Sequence, residues 1–175
     1  NKLISMIRIF IGYDPREAIA YHVLCHSILS RSTRPVLITP LALSHIKDVM
    51  WRPRHNLQST DFSFSRFLVP YLCNFADWAI FMDCDMFFRS DVTKLFNLFR
   101  YRDFAVACVH HKYFPNDRYK MDNQAQEVYY RKNWSSLIIY NCSKLRHLSK
   151  EYLFYGLHGD LHELRWAKNI GEIPR

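Results

Sequence analysis

The sequence predicts an α/β protein, with a central sheet covered on both faces by helices. Three observations carry that prediction. Short runs rich in apolar and β-branched residues alternate with segments of helical periodicity, the pattern of strands joined by helices. Several of those runs are apolar at consecutive positions, as strands buried on both faces are. At 175 residues, 49% of them hydrophobic, the chain is long enough to bury one substantial core. No internal repeat, linker or low-complexity stretch divides it, so residues 1–175 read as a single domain.

In chain order, residues 4–11 (ISMIRIFI) are a first strand, ended by Gly12-Tyr13-Asp14-Pro15. Pro15 suits a first helical turn and Asp14 its N-cap. The helix then runs from Arg16 to about Ser30, with Ile19, Ala20, Val23, Leu24 and Ile28 at helical spacing. Residues 35–39 (PVLIT) are a short second strand, 41–50 a helix and 51–60 (WRPRHNLQST) a polar loop. Residues 63–75 have helical period, and Pro70 kinks or shortens that helix. Residues 78–88 (WAIFMDCDMFF) read as the central strand, and Ser90-Asp91 caps a helix over 92–99. A buried strand at 104–109 (FAVACV) leads into a long polar and aromatic stretch, 110–133, whose length marks a functional loop. A strand at 136–140 (SLIIY), a helix beginning over 143–148 and a last helix at 160–168 complete the reading.

Composition narrows the classes. A chain with 16% aromatic residues and half its positions apolar is not disordered. Its longest apolar runs are interrupted near ten residues, too short for a transmembrane helix, and the first residues lack the pattern of a signal peptide. The net charge of +8 points to an acidic partner or to a solvated basic surface. Nucleic acid, an anionic membrane touched peripherally and a phosphorylated substrate all qualify, and charge alone does not choose among them, although no recognised nucleic-acid motif appears. The five cysteines are odd in number, show no CxxC spacing and sit in apolar segments. That pattern fits reduced thiols in a cytoplasmic protein rather than disulfides or a zinc site. The sequons at Asn133 and Asn141 border a buried strand and read as chance.

The chemistry concentrates at Asp83 and Asp85. Alternate residues of a strand share a face, so both carboxylates leave the sheet on one side. Two carboxylates so close repel, and burying them unpaired is costly. A divalent cation resolves both problems, and Mg²⁺ or Mn²⁺ takes oxygen ligands from carboxylate and phosphate together. A D-x-D after a hydrophobic strand also occurs in haloacid dehalogenase-like phosphatases. Here Phe87 stands where those have Thr or Val, and Leu164, not an acid, follows Asp160 by four positions.

The broader resemblance is to glycosyltransferases of the GT-A fold, in particular glycosyltransferase family 8 and its relatives. It rests on IRIFIGYD at 7–14 with the helix after it, on SRFLVP at 65–70, on the D-x-D, on WSSLIIYNC at 134–142 and on the closing IGEIP. It implies a Rossmann-like mixed sheet, a nucleotide-diphospho-sugar donor (a UDP-sugar), and an acceptor hydroxyl on a glycan, anionic glycans included. Transfer with retention at the anomeric carbon and an Mn²⁺ or Mg²⁺ cofactor follow from the same likeness. Asp85 would ligate the metal, and Asp83 the metal or the ribose. Arg66 would meet phosphate or ribose, its fork suiting such oxygens. Tyr13 would stack on the base, and Asp14 would bind base or ribose or cap its helix. Lys132, Asn133, Trp134, Ser135 and Ser136 would line the sugar pocket, while Asp160 and His162 stand nearest to acceptor-side catalytic positions. His22 and His26, four apart on a helix, lack an evident third ligand, and His110-His111 read as a surface pair. The family usually carries, after the IGEIP-like segment, a Gly- and Trp-rich motif whose His is a further metal ligand. The sequence stops at Arg175 without it, so a fragment or a catalytically degenerate sugar-nucleotide or glycan-binding module is the alternative.

Overall fold

The computed structural model of the protein describes residues 6–53, 58–100, 102–112 and 130–174. One sheet of six strands organises them: β1 (Ile7–Tyr13), β2 (Val36–Ala42), β3 (Trp78–Met82), β4 (Val106–Cys108), β5 (Leu137–Asn141) and β6 (Ile170–Glu172). The spatial order is β2-β1-β3-β5-β4-β6. β5 is antiparallel to both β3 and β4, while β1 pairs in parallel with β2 and β3, and β4 with β6. The sheet is therefore mixed. The carboxyl ends of β1, β3 and β4 and the amino end of β5 share one edge, the edge at which open α/β sheets bind ligands.

Burial explains the strands. Ala79, Ile80, Phe81 and Met82 are fully buried in succession, as are Ile138, Ile139 and Tyr140. Neighbouring residues point to opposite faces, so both faces of the sheet are covered. Between the strands run α1 (Ala18–Leu29), α2 (Leu43–Ile46), α3 (Val69–Leu72), α4 (Val92–Phe99), α5 (Lys150–Tyr155) and α6 (His158–His162). Asp91 caps α4 by accepting from the Thr93 N–H at 2.8 Å, and Val92, Phe96 and Phe99 form the helix's buried stripe. The Tyr140 hydroxyl, wholly buried, donates to the Arg66 carbonyl at 2.9 Å and so ties β5 to the turn before α3. None of the helices among the described residues is long and apolar enough to cross a membrane.

The elements depart from the sequence expectation where local signals were weak. β1 continues through Gly12 to Tyr13 instead of turning at Gly12. β2 continues through Pro40 to Ala42, which leaves only Leu43–Ile46 of the expected 41–50 helix. Pro40 is tolerated because β2 is an edge strand paired only with β1. The expected 63–75 helix divides into a 3₁₀ turn, Ser65–Leu68, and α3, with Pro70 at the start of the second piece. The helix expected to begin over 143–148 is only the 3₁₀ turn Cys142–Lys144, with α5 starting later at Lys150; β6 was not anticipated, and the last helix, expected at 160–168, is α6 alone. In α1 only Leu24, Ser27 and Ile28 are buried, and Ile19 and Val23 are exposed. Most of the 110–133 loop, residues 113–129, lies outside the described residues.

Candidate functional site

β3 ends at Met82, so Asp83 and Asp85 sit in the turn beyond it and not on the strand's face. The Asp83 N–H donates to the Ser136 carbonyl at 2.9 Å, which holds this turn against the start of β5. Cys84, between the two acids, points inward. It is buried, and its thiol donates to Glu17 Oε2 at 3.3 Å. That contact fastens the turn to the 3₁₀ segment Pro15–Glu17 after β1. Asp85 is exposed.

Arg66 closes the site from the Ser65–Leu68 turn. It is buried, with its guanidinium 5.1 Å over the Phe81 ring and 5.5 Å over the Phe62 ring. Nε donates to the Ser63 carbonyl at 3.0 Å, and Nη1 donates to the Ser135 carbonyl at 2.8 Å. Nη1 also lies 3.1 Å from Asp83 Oδ1. The Ser135 hydroxyl is 3.2 Å from His162 Nδ1. A polar chain thus runs from the aspartate through Arg66 and Ser135 to His162.

These groups meet in a pocket of about 350 Å³ lined by Glu17, Ser59, Thr60, Phe62, Ser63, Arg66, Asp83, Asp85, Asn133, Ser135, Ser136, His158 and His162. Its charge is uneven. Burial pushes the Asp83 carboxyl up to about 7, the Arg66 charge pulls it down, and Asp85 and Glu17 push it up again. Asp83 Oδ1 is buried and accepts no hydrogen bond; the nearby Arg66 charge faces it out of hydrogen-bond geometry. An oxygen in that state beside a second carboxylate suits a hard divalent cation, which takes oxygen ligands. Asp83 and Asp85 are the side chains here that fit one. Among the described residues no group of three His, Cys, Asp or Glu side chains converges for a metal.

The structure brings Arg66, Asp83, Asp85, Asn133, Ser135, Ser136 and His162 together in this pocket. Other expected residues are placed elsewhere, each for a physical reason. Asp14 spends both oxygens on structure. Oδ1 accepts from the Arg16 N–H and Nε at 3.0 Å, and Oδ2 accepts from Arg16 Nη2 at 2.8 Å and from the Asp61 N–H at 3.2 Å. It caps the turn after β1 and lies outside the pocket lining. The Tyr13 ring packs edge-on to Tyr21 at 5.3 Å. Trp134 stacks face to face on His110 at 3.9 Å and donates to the His111 carbonyl at 3.2 Å. Lys132 is buried outside the lining, and Asp160 pairs with Arg165 at 3.1 Å. His22 and His26 are exposed on α1. Sequence reasoning missed Glu17, Ser59, Thr60, Phe62, Ser63 and His158. Only Glu17 had a visible cue, its place two residues after Pro15.

The fold is that of the GT-A glycosyltransferases. It matches WbbM, a bifunctional glycosyltransferase, with a TM-score of 0.65 and 13% identity over 99% of this chain and 40% of that one. It also matches the galactosyltransferase LgtC, solved with donor and acceptor sugar analogues, with a TM-score of 0.52 and 11% identity over 95% of this chain and 73% of that one. Among curated proteins, Protein CDI of Arabidopsis thaliana is 46% identical over 173 residues. The alignment takes in 95% of this chain, which spans 66% of that relative's length. No protein-family model matches the chain.

Proposed function

We propose that the chain carries a donor site for a nucleotide-diphospho-sugar, a UDP-sugar, and transfers the sugar to an acceptor hydroxyl with the help of Mn²⁺ or Mg²⁺. The observation that carries this reading is the convergence of Asp83, Asp85 and Arg66 on one pocket at the carboxyl edge of the sheet. Asp83 and Asp85 would hold the cation. When bound, that ion would neutralise charge gathering on the departing diphosphate. Arg66 is held rigid by Ser63 and Ser135 and can orient phosphate or ribose oxygens without losing much freedom. Ser135 and Ser136 are small, and they leave room for the sugar beside the acids. In the transfer the bond from the anomeric carbon to the diphosphate oxygen breaks. The acceptor oxygen bonds to that carbon and passes its proton to the departing diphosphate. Retention at that carbon is part of the proposal and is read from the product's anomeric coupling. The five thiols are free, which fits a reducing, cytoplasmic setting.

A thermal-shift screen of UDP-sugars with and without Mn²⁺ tests the donor site. A ligand at one hundred times its Kd stabilises the folded state by about 2.7 kcal/mol, or roughly 5–10 °C for a chain of this size. We expect a Mn²⁺-dependent rise in the wild type that disappears in Asp85→Asn. Absence of any response in the wild type rejects the donor site. A rise without transfer or donor hydrolysis identifies a degenerate binding module instead.

A further inference from the structure

Near the donor pocket lies an aromatic groove of about 270 Å³ that nothing in the preceding reading employs. We infer that it is the acceptor subsite and that it takes a neutral saccharide; this rests on the donor-site reading above. Its rings are exposed to an unusual degree. Trp51 is 66% exposed and Tyr155 79% exposed. Trp51 stacks on Phe154 with centroids 5.7 Å apart, and Phe154 meets Tyr155 edge-on at 4.7 Å. The rings brace one another, so they present flat apolar faces at little cost in side-chain freedom. Flat rings suit the C–H face of a sugar.

The polar groups choose the occupant. Lys150 and Glu151 line the same groove. An ammonium only donates and a carboxylate only accepts, so together they match hydroxyl groups, which do both. Opposite charges on consecutive residues leave the groove's lining with no net charge to attract an anionic glycan. They also depart from the charge-depleted core of a protein interface. Lys150 is held in place over the Tyr71 ring at 5.2 Å.

The buried Phe64 ring lies between the segment around the groove and the donor pocket. The Phe64 ring touches Arg52 on one side, with the guanidinium 4.0 Å from its centroid. The same ring meets His158 at 5.7 Å and His162 at 5.6 Å, and both histidines line the donor pocket. Arg52 in turn donates to the Leu153 and Gly156 carbonyls and so fixes the end of α5 that carries Tyr155. Two residues separate Tyr155 from His158, so their Cα atoms lie within about 11 Å of each other. A sugar seated on Tyr155 would therefore lie beside the segment that carries His158 into the donor pocket.

Saturation-transfer NMR with lactose, maltose, cellobiose and xylobiose as probes tests the groove, because it reads weak sugar binding directly. Transfer to at least one probe is expected from the wild type. It should fall at least fivefold in Trp51→Ala and in Tyr155→Ala at unchanged melting temperature, and persist in Asp85→Asn. Either variant suffices should the other fail to fold. Absence of transfer to all four probes overturns the proposal, as does transfer unaltered in both variants. A wild-type dimer in sedimentation that Trp51→Ala dissociates also overturns it and makes the face a self-interface. The two readings fail separately: sugar binding without any UDP–Mn²⁺ melting response supports the groove and removes the donor site.

Discussion

Burial, the Arg66 charge and the neighbouring acids Asp85 and Glu17 all act on the Asp83 carboxyl, and the balance is upward, from 3.8 to about 7. The sign of the consequence follows from proton counts. Between those values the folded chain holds a proton that the unfolded chain has lost, so stability falls as pH rises, and the cost is complete above about 7. A fifth of the side chain still meets the pocket, which tempers the size of the effect and not its direction. Asn at this position carries no charge to desolvate. Metal-free Asp83→Asn should therefore melt higher than the wild type at pH 8, and its advantage should shrink as the pH falls towards 4. The same variant should lose the Mn²⁺-dependent response to UDP-sugars. Melting curves in EDTA at pH 8, 6 and 4 check the first part, and an Asp83→Asn protein less stable than wild type at pH 8 would contradict it. A residue whose removal stabilises the empty protein while abolishing binding is one whose strain belongs to the ligand.

Gly12 shows how two elements share one pocket wall. A Cβ at this position in β1 would lie 2.4 Å from the Phe62 ring, so only glycine lets the 59–64 segment settle on the strand. Phe62 is itself 2% exposed, it lines the donor pocket, and Arg66 sits over its ring. Gly12→Ala must displace that ring and with it the support of the guanidinium. Overpacking of this kind costs about 1–3 kcal/mol, or roughly 2–12 °C in melting temperature for a chain of this length. The UDP–Mn²⁺ response should weaken as well. Phe62→Leu in the Gly12→Ala background frees space and should recover part of the loss. A double-mutant cycle by urea unfolding measures the coupling, and strictly additive costs would show that the two residues do not touch. The sequence could not display this contact. Gly12 looked like a turn because it precedes Tyr13-Asp14-Pro15, and its partner lies fifty residues away.

At the scale of the whole molecule, the legible features were those written in consecutive residues. The buried runs of β1, β3, β4 and β5 announced themselves, and so did the acid pair after β3 and the helix caps at Asp14 and Asp91. β6 was hidden because three residues carry no period, and its pairing with β4 is long-range. Turns were hidden because the chain has only four glycines; Asn74, Phe75, Asp77, Arg131, Asn133 and Leu164 take positive φ in their place. The pocket wall of Phe62 and His158 was invisible because the topology, and no local pattern, gathers it. The two caps also set the acid limit of the fold. Arg16 hydrogen bonds hold Asp14 at about 2 against the push of burial. Against the larger push of burial at Asp91, the Thr33 hydroxyl and the Thr93 N–H hold that carboxyl at about 2 as well. Both values are depressed, so the stability they supply is whole above about 4 and is lost as the pH falls through about 2. For Asp14 the contribution is at most about 2 kcal/mol, reduced by the solvent around Arg16, which is 43% exposed. Asp91 joins the turn after α1 to α4 by accepting from the Thr33 N–H and hydroxyl, so its protonation loosens two elements at once. Urea unfolding of the wild type should show stability falling between pH 4 and pH 2. In the double variant Asp14→Asn, Asp91→Asn, stability should be lower at pH 7 and flatter over that window, so that the two curves converge near pH 2. Parallel curves would mean that other carboxylates govern the acid limb.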